Sequence, residues 1–164
     1  MADRFAKARA QLAGIVRDFP DEKAIVHEAQ WDIATSFLTQ ARVVDAFSPT
    51  LARGQYVRAA KELQRVAAAY HDHPKIGTIP GLLWAIGDEL SGRGYHEEAI
   101  SVWNQLMVHY PSAGTLLKAA TRIAQTYRDR LKRPLLAAET LLELNFAVGG
   151  RLDVQNQIYQ IGLS

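Results

Sequence analysis

An all-α solenoid of antiparallel helix pairs is the fold this sequence predicts, and three observations predict it. One phrase recurs four times, a small residue followed by apolar residues four and seven positions on and usually by an aromatic eleven on. It reads Ala8/Leu12/Ile15/Phe19, Ala59/Leu63/Val66/Tyr70, Ala99/Trp103/Leu106/Tyr110 and Ala137/Leu141/Leu144/Val148. Steps of four, three and four keep each set on one stripe of a helix, and the constant alanine lets a second helix approach closely. The phrases start 51, 40 and 38 residues apart, a period of helix-pair repeats, whose usual work is holding other proteins. Punctuation falls between the phrases: Pro20, Pro74, Gly94, Pro111 and the pair Gly149-Gly150, residues that end helices or turn the chain.

Taken in order, residues 3–19 form a helix of the second type in a pair, lacking its usual partner. The next pair spans 22–74: Ile33-Ala34 and Phe37 mark its first helix, Ala59 to Tyr70 its second. The stretch from Gln40 to Arg53 carries extra residues including Ser48-Pro49-Thr50, which predicts a lengthened first helix and a loop with Thr50 as the following cap. Residues 80–113 hold the clearest pair, with small residues at Gly87 and Ala99 for a close crossing, Gly94 for the tight turn and Pro111 as the stop. In 114–148, Ile123-Ala124 and Tyr127 open the pair, but the turn glycine is missing and Arg128 to Pro134 occupies the turn. The glycine pair ends that helix, and 152–161, with Leu152, Ile158 and Ile161 apolar, reads as a short capping helix. Residues 1–164 are thus one domain, with half a repeat missing before its first helix. A self-sufficient end is the first expectation, an upstream segment or a partner subunit over it being the alternative.

Length and composition set the wider bounds. A chain of 164 residues is enough for one domain that buries roughly 70% of the surface its unfolded form exposes. Absence of cysteine excludes thiol catalysis, disulfides and cysteine-ligated zinc. The formal charge of +2 makes no case for nucleic acid or a membrane surface. No apolar run approaches the roughly 20 residues of a membrane span, and the start MADRFAKARAQ is too charged for a secretory signal.

Candidate chemistry is sparse. His27-Glu28-Ala29-Gln30-Trp31 begins like a helical zinc-protease motif but places Trp31 where the second ligand belongs. His71-Asp72-His73 has the residue types of a metal site yet lies where a helix ends before Pro74, and a polar helix terminus is the expectation. The glycines flanking Arg93 form a turn rather than a phosphate loop, and no serine has a nucleophile context. The basic run Arg128 to Arg133, broken by Asp129, reads as a solvated turn. Glu97-Glu98 reads as a solvated first turn that complements a helix N-terminus. The expectation is a protein without catalytic residues, metal or cofactor.

Residues 80–113 resemble the 34-residue tetratricopeptide repeat without a gap, on Gly87, Leu90, Gly94, Ala99, Leu106 and Pro111; 22–74 and 114–148 resemble it less fully. The resemblance implies a right-handed superhelix of about three repeats plus flanking helices, with the first helix of each pair lining a concave groove. Groove positions carried over are Glu28, Trp31, Asp32, Thr35 and Leu38, then Gly81, Trp84, Ala85 and Asp88, then Lys118, Thr121, Arg122, Gln125 and Arg128. Trp31 and Trp84 fall on equivalent positions and would form an apolar anchor for a peptide; the alternative is a slight rotation that packs both rings inward. Lys118 and Arg122 lie one turn apart and match the basic pair of a carboxylate-clamp subfamily that grips acidic chaperone tails. The rest of that clamp is replaced by Trp31, Thr35 and Ala85. The implied partner is a protein, met as a peptide or helix with an acidic segment, and the rival role is assembly or homo-oligomer formation through Phe5, Leu12 and Ile15. Cytoplasm is the first expectation for location. The links Phe19-Pro20 and Tyr110-Pro111-Ser112, similar to those of repeats in bacterial envelope lipoproteins, make the envelope or a membrane-tethered fragment the alternative.

Overall fold

A computed structural model describes residues 2–147 together with Asn156 and Tyr159. Every element among the described residues is helical: α1 (Ala2–Asp18), α2 (Lys23–Val44), α3 (Pro49–Ala69), a 3₁₀ turn (Ile76–Thr78), α4 (Ile79–Gly92), α5 (His96–His109), α6 (Ala113–Gln125), a π-helical turn (Thr126–Arg130) and α7 (Pro134–Ala147). Of the capping helix expected at 152–161 only Asn156 and Tyr159 are described, both helical; the rest, with Val148 and the glycine pair, lies outside the described residues. No described helix is long and apolar enough to cross a membrane. The chain divides into two compact units, Met1–Ile86 and Gly87–Ser164.

In the first unit α2 packs against both α1 and α3. Its buried residues Val26, Ala29, Ala34, Leu38, Ala41 and Val44 recur at helical spacing, and α3 buries Ala52, Tyr56, Ala59, Ala60, Leu63 and Val66. At 22 residues α2 is the lengthened helix expected. The following boundary differs from expectation: α3 begins at Pro49 after Ser48, so Thr50 is not its cap but a residue of its first turn. Proline's fixed φ and missing N–H suit the first helical position, and that preference overrides the threonine hydroxyl. The helix α1 is the least buried. Ala8 is exposed, Leu12 and Ile15 are half-buried and Phe19 is 55% exposed, while the other phrases are buried at their first three positions.

In the second unit α6 packs against α5 and α7, around Ala120, Ala124, Ala137, Leu141 and Leu144 with Met107, Leu116, Leu117 and Tyr127 at the margin. Trp103 of α5 is fully buried and lies directly on Gly87 of α4, where a Cβ would stand 2.2 Å from the indole Nε1. Only glycine permits that approach. The α4–α5 turn closes through Gly94 at φ 84°, with the Tyr95 N–H on the Leu90 carbonyl (3.0 Å) and the Gly94 N–H on that of Ser91 (3.0 Å), a Schellman cap.

The turn before α7 solves the same problem with one more residue. Lys132 stands five residues before Ala137, as Gly94 does before Ala99, and takes a left-handed φ of 56°. Twelve residues separate Gly87 from Ala99 but thirteen separate Ala124 from Ala137. The π-helical turn absorbs the extra one: the Leu131 N–H reaches the Thr126 carbonyl at 3.1 Å, and the Arg133 N–H reaches that of Tyr127 at 2.8 Å. Within the basic run Arg128, Asp129 and Arg130 belong to the π turn and Leu131, Lys132 and Arg133 are non-helical, with all but Arg128 and Leu131 exposed, in keeping with the solvated turn expected.

Candidate functional site

The candidate site is built from the C-terminal half of α4 and the end of α6, all within the second unit. Asp88, Ser91 and Gly92 from α4 face Arg122, Gln125, Thr126, Asp129 and Arg130 across a cavity of about 280 Å³. Asp88 and Arg122 are half-buried to exposed, and the Arg122 Nη2 donates to the Asp88 Oδ1 at 2.8 Å. The Arg122 guanidinium also stands 5.7 Å from the centroid of the Trp103 ring, a cation–π contact that aims it. Thr126 is buried and donates its hydroxyl to the Arg122 carbonyl at 2.8 Å.

Widening the helix at Thr126–Arg130 turns Asp129 and Arg130 toward the cavity, a placement that π turns often serve at functional sites. Arg128 grips Asp129 through two hydrogen bonds, Nε to Oδ1 at 2.7 Å and Nη2 to Oδ2 at 3.3 Å. That contact holds the Asp129 carboxyl below its ordinary range and raises Arg128. Two carboxylates and two guanidiniums thus surround one polar hollow, with the Ser91 and Thr126 hydroxyls and the Gln125 amide beside them. Such a set supplies both donors and acceptors and orients a polar ligand rather than solvating an apolar one.

Of the groove residues expected, Asp88, Arg122 and Gln125 line this cavity, and Arg128 braces its rim. Lys118 is exposed one turn before Arg122, and Thr121 is half-buried beside it. The others lie in the first unit. Trp84 is half-buried. Thr35 is half-buried and turns its hydroxyl back onto the Trp31 carbonyl at 3.0 Å. Trp31 is only 8% exposed and Leu38 4%, so both serve packing and neither offers an apolar face to a ligand. The rotation that buries Trp31 brings its ring parallel to that of His73, centroids 5.4 Å apart.

His71, Asp72 and His73 follow the end of α3, the first two exposed and His73 buried. It is 4% exposed, accepts the Lys75 N–H on Nδ1 at 3.1 Å and brings Nε2 to 3.4 Å from the Glu28 Oε2. Lys75 pairs with the same carboxylate, and this hydrogen bond, ahead of the other contributions, keeps Glu28 below its ordinary range. The pattern pins the connection after α3 onto α2. Among the described residues no group of three or more His, Asp or Glu gathers as a metal site.

Ser91, Gly92, Thr126, Asp129 and Arg130 were not legible as site residues. The one available signal was the extra residue between Ala124 and Ala137, which tells of a disturbed helix but not of the direction in which it bulges. Comparison with protein-family models, with curated proteins and with solved structures gives no match for this chain.

Proposed function

We propose that this protein is a non-catalytic scaffold of the tetratricopeptide-repeat type, about three helix pairs with flanking helices, that holds a peptide or helix of a partner protein at the polar surface of α4 and α6. The observation that carries the reading is the Asp88–Arg122 pair at the mouth of the mixed donor–acceptor cavity. A peptide segment presents N–H and C=O groups in alternation, which such a lining matches, and an acidic side chain would compete with Asp88 for Arg122, with Lys118 one turn away. Burial of the repeated phrase in α3, α5 and α7 supports the repeat assignment. The test is selection of a displayed random peptide library on the protein, followed by titration of the enriched peptides. Arg122→Glu should weaken them by roughly tenfold or more, and Asp88→Asn should strengthen the acidic ones by freeing the guanidinium. Unchanged affinity in folded Arg122→Glu would remove this site from consideration.

One observation favours a second reading, assembly through α1. Its phrase alone is left partly uncovered, with Leu12 and Ile15 half-buried and Phe19 exposed. Sedimentation of the wild type against Leu12→Glu decides it: a mass that falls to that of the monomer in the variant supports assembly, and a wild-type monomer at all concentrations rejects it.

A further inference from the structure

The first unit holds a cation without a counter-charge. The Arg9 guanidinium of α1 lies 4.0 Å from the centroid of the Phe37 ring on α2, donates from Nη1 to the Ser36 Oγ at 3.3 Å and from Nη2 to the Gln40 Oε1 at 2.9 Å. Gln40 is buried. All of these partners are neutral, and no carboxylate among the described residues pairs with Arg9.

A second guanidinium stands at the same ring. That of Arg58, on α3, lies 5.3 Å from the Phe37 centroid, so the two guanidinium carbons are at most about 9 Å apart. Arg58 gives its Nε to Glu62 at 3.0 Å, but Arg65 shares that carboxylate at 3.3 Å, leaving three cations to one anion. Burial and then the charge of Arg58 both push Arg9 below its ordinary range. Partly desolvated like charges cost free energy unless an anion sits between them.

We propose that Arg9 and Arg58 form the two jaws of a site for a phosphate dianion, either free or carried as a monoester. Arg9 keeps its Nε–H and one hydrogen on each terminal nitrogen, and Arg58 keeps both terminal nitrogens. Planar guanidiniums suit the oxygens of a phosphate group. The excess charge of the cluster is two, which a dianion neutralises and a single carboxylate does not. The ring of Phe37 fixes both jaws by cation–π contact, so little side-chain freedom is lost on binding. This site belongs to the first unit and stands or falls independently of the cavity at Arg122.

The full chain is titrated calorimetrically with inorganic phosphate and, in parallel, with a capped tripeptide bearing phosphoserine, at neutral pH and with sodium chloride holding ionic strength constant. Saturable binding is expected, competed by sulfate and weakened at least tenfold in Arg58→Gln, whose exposed side chain is not needed for folding. Arg17→Gln, at an exposed cation paired with Asp18, should bind as the wild type does. Tighter binding of the peptide assigns the site to a peptide-borne phosphate, and equal binding assigns it to the free ion. No saturable binding of either probe, or undiminished binding by folded Arg58→Gln, would overturn the proposal.

Discussion

Replacing Gly87 by alanine tests the close approach of α4 and α5. The added Cβ would meet the Trp103 Nε1 at 2.2 Å, Cδ1 at 2.7 Å and Cε2 at 2.8 Å, where ordinary contacts begin near 3.4 Å. Three ring atoms inside that limit mean that rotating the indole relieves one overlap by worsening another. Trp103 is fully buried, so it has nowhere to retreat, and α4 and α5 must part by about an ångström. Overpacking of this kind costs roughly 1–3 kcal/mol, offset by about 0.5–1 kcal/mol because alanine is the better helix former. The net loss expected is about 1–2 kcal/mol, read as a urea midpoint about 0.5–1 M lower at unchanged slope. Circular dichroism during urea unfolding measures it. Gly54→Ala is the control: it sits inside α3 with nothing within 4 Å of the added atom, and should gain about 0.5 kcal/mol. Trp103→Phe in the Gly87→Ala background should show favourable coupling of about 1 kcal/mol. Gly87→Ala as stable as the wild type, or no coupling to Trp103, would refute the contact.

Further outcomes follow from other elements. Lys132→Gly should stabilise by about 0.5–1 kcal/mol and Gly94→Ala should destabilise by about 1 kcal/mol, since both positions have left-handed φ; the two urea midpoints should move in opposite directions. Leu144→Ala, removing a side chain 4% exposed from the α6–α7 core, should cost about 2–4 kcal/mol by the same assay. Glu28, depressed by Lys75, contributes stability that is present above the ordinary carboxylate range and lost as the pH falls through its lowered value. Its side chain is 49% exposed, so the contribution is no more than about 0.5 kcal/mol. Glu28→Gln should narrow the gap to the wild type only in acid, as followed by thermal unfolding against pH.

Helix placement was legible because each helix carries its own period and its own stops. The expected ends of α1, α4 and α5 fall within a few residues of those observed, and the Ala59, Ala99 and Ala137 phrases are buried at their first three positions. Rotation was less legible. A spacing of three and four defines a stripe, but whether Trp31 lies on its buried or its open edge depends on His73, a residue beyond the end of the next helix that no local pattern places against α2. The cavity was half legible. Asp88, Arg122 and Gln125 sit on regular helix and could be placed by counting, whereas Asp129 and Arg130 reach the hollow only through the π turn. That turn arises from a single surplus residue, and competing ways of housing it differ by energies that sequence spacing does not reveal.

Backbone amide chemical shifts during titration with a library-selected peptide report whether a partner peptide is held at the Asp88–Arg122 cavity. Saturable shifts are expected at Asp88, Ser91, Lys118, Arg122, Gln125 and Asp129, abolished in Arg122→Glu while its spectrum remains that of a folded protein. Shifts confined to α1, or the same pattern and affinity in Arg122→Glu, would contradict binding there.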